Sequence, residues 1–141
     1  YTSGKTKLML GLGMSSISDS WYGFAQNVKS VEEYEALANA GEIPIFRGHM
    51  LNNEDLIVRK HILNIMCHFR TDWREEKMQF PELEACLSRL KEMEDDGLIS
   101  IDKHHLSVHE KGRPFVRNVC MAFDLHLIRK APQTKVFSMT I

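Results

Sequence analysis

The chain has 141 residues, 43% of them hydrophobic and 26% charged, which suits one compact domain and is too apolar for a disordered segment. Its formal net charge of −1 and the lack of any apolar run near the ~20 residues of a membrane helix argue against nucleic-acid binding and membrane spanning. The start lacks the basic-then-apolar order of a secretory signal, and a first residue of Tyr1 rather than Met raises the expectation of a preceding segment.

Residues 1–27 are rich in Gly, Ser and Thr and hold three charged residues. Lys7 to Leu10 reads as a buried strand that would need a sheet supplied from elsewhere, followed by a glycine turn, Gly11-Leu12-Gly13, and the run Ser15-Ser16-Ile17-Ser18. Ser30 and Glu33 form a capping box before Val31, Tyr34, Leu37 and Ala38, predicting a helix to about Ala40 that stops at Gly41. Ile43-Pro44-Ile45-Phe46 is a short extended piece, kept out of a central ladder position by Pro44.

Asn52 or Asn53 caps a long helix in which Leu56, Ile57, His61, Ile62, Ile65, Met66 and Phe69 keep the helical period. Pro81 opens another, with Leu83, Leu87, Leu90 and Met93 as its stripe and Gly97 as its stop. Leu98 to Ile101 and Leu106 to Val108 alternate about Asp102-Lys103-His104-His105 and predict a β-hairpin. A last helix from about Lys111 to Arg129 presents Phe115, Val116, Val119, Cys120, Phe123 and Leu127.

Helix, helix, hairpin, helix is a winged-helix order. The helix that would enter a DNA groove, Pro81 to Asp96, however, carries six carboxylates against Arg89 and Lys91, so phosphates would repel it. Gly4-Lys5-Thr6 looks like the tail of a phosphate-binding loop, but the earlier glycine is missing and Leu8 to Gly13 makes a poor following helix, so it reads as a chance match. Gly11-Leu12-Gly13-Met14-Ser15-Ser16 approaches a dinucleotide fingerprint without its third glycine. Two readings stand: a backbone approach to a ligand, with Ile17 laying an apolar face on an adenine, or a plain tight turn at a strand end.

His61 and His68 lie about 10 Å apart along one helix, too far to share an ion. Cys67, Cys86 and Cys120, without a C-x-x-C, fit reduced thiols buried as small hydrophobes rather than a closed metal site. No nucleophile–base constellation is legible. Arg47, Arg59, Arg113 and Arg117 remain as forks able to grip carboxylates.

Several stretches together resemble the C-terminal part of the oxygen-independent coproporphyrinogen III oxidase (dehydrogenase) family of radical S-adenosylmethionine enzymes. They are Tyr1-Thr2, Leu10 to Ser18, Ala25-Gln26-Asn27, Phe46-Arg47-Gly48, Arg59 to Phe69, Asp96-Gly97-Leu98, Lys111-Gly112-Arg113, Arg117 to Met121, Phe123-Asp124, and Phe137-Ser138 with Ile141. The resemblance implies a partial (β/α) barrel holding a [4Fe-4S] cluster on a C-x-x-x-C-x-x-C motif, covered by a helical C-terminal domain. S-adenosylmethionine reduced at the cluster gives a 5′-deoxyadenosyl radical that oxidises two propionates of coproporphyrinogen III to vinyl groups with loss of carbon dioxide, yielding protoporphyrinogen IX for heme biosynthesis. This chain has no such cysteine motif, so it is expected to be inactive alone and to bind neither cofactor by itself.

Residue by residue, the family pattern assigns Ile17 to S-adenosylmethionine, and four carboxylates on the substrate motivate Arg47 and Arg59 as its contacts. The expected fold is mainly α with a small β-hairpin, winged-helix-like. Residues 1–29 would end a truncated barrel, mobile here, and residues 30–141 would form a capping domain. The resemblance further implies a cytoplasmic monomer whose partners are the upstream barrel and coproporphyrinogen III, with no nucleic acid and no membrane. The competing reading is a heme-binding or protein-interaction module of a related radical S-adenosylmethionine protein, with His61 as a ligand.

Overall fold

The computed structural model describes residues 6–129, which divide into two compact units, one running to Leu56 and one from Ile57 onward. No helix among the described residues is long and apolar enough to cross a membrane.

The first unit is a three-stranded antiparallel sheet of β1 (Ile17–Asp19), β2 (Gly23–Asn27) and β3 (Ile45–Met50) in sequential order, with α1 (Val31–Asn39) between the last two. Ser30 caps α1 as expected, its hydroxyl accepting from the Glu33 N–H at 3.2 Å, and Gly41 at φ +75° ends it in the left-handed conformation that glycine adopts without strain. Pro44 stands just before β3, an edge strand, where its missing N–H costs no ladder bond. The register shifts after Gln26, which pairs with Arg47, so that Asn27 pairs with Ile45 and Phe46 is the extra residue of a bulge.

Lys7 to Leu10 is not the buried strand the sequence suggested. Leu8, Met9 and Leu10 are more than half exposed, and the segment makes one isolated bridge, Met9 to Asp19. The sheet thought to be absent is formed by later strands of the same chain, whose short apolar content hid them. The expectation of a mainly α chain with one hairpin is corrected accordingly: helices and two small sheets are mixed. The expected boundary between residues 29 and 30 falls inside this unit, because α1 sits between two paired strands.

The second unit holds α2 (Asn53–His68, whose first turn lies before the division), β4 (Arg70–Asp72), α3 (Leu83–Ser88), α4 (Lys91–Asp95), β5 (Ile99–Ile101), β6 (His105–Val108), α5 (Val116–Ala122) and α6 (Leu125–Arg129). Its sheet is antiparallel in the order β4-β6-β5: the predicted hairpin with a third strand added after α2. Val58, Ile65, Trp73, Leu90, Ile99, Leu106, Val119 and Phe123 anchor a contiguous core confined to this unit. The two long helices expected over 81–96 and 111–129 are each interrupted. Leu90, buried, sits between α3 and α4, and a 3-10 turn with Pro114 precedes α5. Gly112 is buried so closely on the chain that an added Cβ would meet the Leu98 carbonyl oxygen at 2.1 Å.

Candidate functional site

The glycine turn is built around Asn27. Its side-chain amide reaches the carbonyls of Gly11 (3.2 Å) and Gly13 (2.9 Å) and the Ser16 hydroxyl (3.0 Å), while its backbone N–H donates to the Ser16 carbonyl at 2.9 Å. The Gly11 N–H donates to Ser18 Oγ and the Gly13 N–H to Tyr34 Oη, each at 3.0 Å. A Cβ on Gly11 would lie 2.8 Å from the Ile17 backbone, so only glycine permits the turn to fold back on β1. The Gly11 and Gly13 amides are therefore spent internally rather than open to a pyrophosphate, and the turn folds back against the strand that carries Ile17. Gly4 and Lys5 of the other phosphate-loop resemblance lie outside the described residues, as do Tyr1-Thr2, Phe137-Ser138 and Ile141.

Ile17 keeps 49% of its surface exposed. It pairs directly with Gln26 on β2, and Gln26 pairs directly with Arg47 on β3, so the three side chains form a row on one sheet face. Two inter-strand steps put Ile17 and Arg47 about 10 Å apart. Gln26 binds the row together: its Oε1 accepts from Arg47 Nε at 2.9 Å and its Nε2 donates to the Ser15 carbonyl at 3.2 Å. Arg47 also lies 6.0 Å from the centre of the Phe46 ring, its guanidinium otherwise facing outward. An apolar patch, an amide and an aimed guanidinium in that order suit a ligand with an aromatic or heterocyclic body beside an anionic group.

Arg59, the other arginine singled out, is on α2, partly buried and already engaged with neighbours, and it belongs to the second unit. Gln26 and Asn27 were visible in the sequence only as part of a recognised stretch. The signal that could have found them is two amides closing a strand opposite a two-glycine turn, whose carbonyls need donors.

His61 is fully buried and cannot serve as a heme ligand. Its Nε2–H donates to the Met78 carbonyl and its Nδ1 accepts from the Thr71 hydroxyl, both at 2.8 Å, leaving no lone pair free. Phe80 and Phe123 flank the ring at 5.7 and 5.5 Å, and burial holds its pKa below the ordinary value. The cysteines do not fit a cluster either: Cys67 is on α2, Cys86 on α3 and Cys120 on α5, and burial pushes the Cys86 thiol up and the Cys120 thiol up to about 12, far from the thiolate that iron requires.

No protein-family model matches the chain. It is 35% identical over 135 residues to the oxygen-independent coproporphyrinogen III oxidase of Escherichia coli strain K12, covering 92% of this chain and 29% of that protein. Against the enzyme of the same name from Cereibacter sphaeroides the figures are 32% over 136 residues, 94% and 30%. Among solved structures, the E. coli coproporphyrinogen III oxidase HemN, described as a radical SAM enzyme, superposes with a TM-score of 0.76 at 32% identity, over 90% of this chain and 30% of that one. The resemblance expected from the sequence is borne out along nine-tenths of the chain, and the chain spans under a third of the length of these relatives.

Proposed function

We propose that this chain is the C-terminal part of an oxygen-independent coproporphyrinogen III oxidase, a radical S-adenosylmethionine enzyme of porphyrin and heme biosynthesis, and that it lines and covers the pocket of a barrel supplied by the rest of the enzyme. The cluster and S-adenosylmethionine, held chiefly outside this chain, supply the oxidising chemistry. The observation that carries the reading is the row Ile17–Gln26–Arg47, an exposed apolar side chain and a guanidinium about 10 Å apart on one sheet face, a spacing that supports a nucleoside contact beside a carboxylate contact.

The distribution of apolar surface supports it. Among the described residues, twelve of the fourteen exposed large hydrophobics lie between Leu8 and Met50, and Val28 is the one buried hydrophobic residue there, as expected of a segment completed by packing on a larger body. Ile17 gives an apolar wall to the adenine of S-adenosylmethionine, and Arg47 steers a substrate carboxylate. The second unit, in which the hairpin β5–β6 follows the α3–α4 pair and β4 joins it in the order β4-β6-β5, is read as a winged helix serving as a lid. Its α3–α4 pair is acidic, which disfavours a nucleic-acid role. A lid of this kind contributes positioning and water exclusion rather than proton transfer.

The test is kinetic, on the full-length enzyme. Arg47→Ala is expected to raise KM for coproporphyrinogen III about tenfold or more, the loss of a charge-assisted hydrogen bond. Ile17→Ala should weaken S-adenosylmethionine binding by about tenfold with little effect on substrate KM. Unchanged constants in both variants would sink the reading.

A further inference from the structure

The outward face of the second unit's sheet carries a polar cleft of about 540 Å3 that no part of the proposed reaction uses. It forms because β4 and β6 alternate. Thr71 and Leu106 point into the core and are almost wholly buried, which turns Arg70 and Asp72 outward beside their cross-strand partners Ser107 and His105. Asn64 and His68, one turn apart near the end of α2, form the adjoining wall, and Arg74 closes the rim.

The charges in this cleft are unbalanced. Its one carboxylate, Asp72, is occupied: Oδ2 accepts from Arg74 Nε at 2.7 Å and Oδ1 from the Arg74 backbone N–H at 2.9 Å. His105 is held between Asp102 at 2.9 Å and Ser107 at 2.7 Å. Arg70, Asn64 and His68 have no polar partner among the described residues, so a full guanidinium charge, an amide and an imidazole open onto the same space. The partial negative charge at the end of α2 opposes an anion, but at about half an elementary charge it is outweighed by the full guanidinium charge of Arg70.

We infer that this cleft is a binding site for a small oxyanion, a carboxylate or phosphate group, taken in bidentate fashion by Arg70 with Asn64, His68 and Ser107 around it. The planar fork of Arg70 matches two coplanar oxygens, and the neighbouring amide and imidazole can donate to a third. The site does not depend on the oxidase reading and can be tested on the 141-residue chain itself.

The 15N-labelled chain is titrated with inorganic phosphate and, separately, with succinate at constant ionic strength. The readout is the arginine Nε–H signals and the backbone amides of residues 64–74 and 105–107. Saturable shifts confined to those signals are expected. Saturation with phosphate alone or succinate alone supports the site and fixes its preference; saturation with both supports a shared oxyanion site. Arg70→Gln should weaken binding about tenfold, and Arg70→Lys, which keeps the charge without the fork, should fall between. Arg117→Gln removes an equal charge from an exposed position on α5 and should change nothing. Linear, unsaturated shifts with both anions, or equal weakening by Arg117→Gln, would overturn the site in favour of general charge attraction.

Discussion

At the residue scale the molecule separates side chains that hold its shape from those that face a ligand, and His61 is the clearest case of the first kind. A histidine on the core-facing stripe of a helix invites a metal or heme reading, yet both its nitrogens are consumed by Thr71 and Met78 and its ring stacks on Phe123. Burial lowers its pKa from the ordinary 6.5, so the unfolded chain binds the extra proton in the window below 6.5. Stability contributed by neutral His61 is therefore complete above pH 6.5 and falls as the pH drops through that window, at up to about 1.4 kcal/mol per pH unit. Denaturant unfolding from pH 8 to pH 5 should show this slope. His61→Leu should remove its share while costing about 1–3 kcal/mol at pH 8, where the Met78 carbonyl and Thr71 hydroxyl lose their partner. A variant with an undiminished slope would place the titration elsewhere.

At the element scale, the starts of α1 and α2 were legible in the sequence, while the later starts and the interruptions of the longer stripes were not. Ser30 capped α1 as read, and the choice between Asn52 and Asn53 is decided by geometry. Asn52 Oδ1 accepts from the Asp55 N–H at 2.9 Å, and Asp55 Oδ2 accepts from the Asn52 N–H at 3.0 Å, a reciprocal capping box. Asn52→Ala should cost about 1 kcal/mol, whereas Asn53→Ala, inside the first turn, should stay within about 0.5 kcal/mol, as measured by urea unfolding. The apolar stripe ran unbroken over 111–129 because periodicity reports which face is buried, not whether the backbone is continuous. Asp124 stops and restarts it there: its Oδ1 accepts from the Leu127 N–H at 2.9 Å and caps α6. The strands β1 and β2 escaped notice for the opposite reason. Their sequences are short and polar, and their pairing is fixed by Asn27 and Gln26 reaching residues more than ten positions away, information that no local window contains.

At the scale of the whole molecule, the two units differ in what holds them. Every residue of the hydrophobic core lies between Val58 and Leu125, while the first unit rests on sheet hydrogen bonds, the Asn27 network and one buried valine. Backbone ordering costs about 1–2 kcal/mol per residue, and without comparable apolar burial a three-stranded sheet with one helix has little to offset it. A chain of residues 52–141, which keeps the Asn52 cap, should therefore unfold cooperatively with a midpoint close to that of all 141 residues. Residues 1–56 alone should show no sigmoidal thermal transition by circular dichroism and rapid amide exchange in β1 and β2. A cooperative transition in the shorter piece would mean that the Asn27 network suffices to order the sheet. Its absence, together with recovery of exchange protection at Ile17 and Gln26 in the full-length enzyme, would locate the missing stabilisation in the rest of that enzyme, the body the exposed surface from Leu8 to Met50 is proposed to meet.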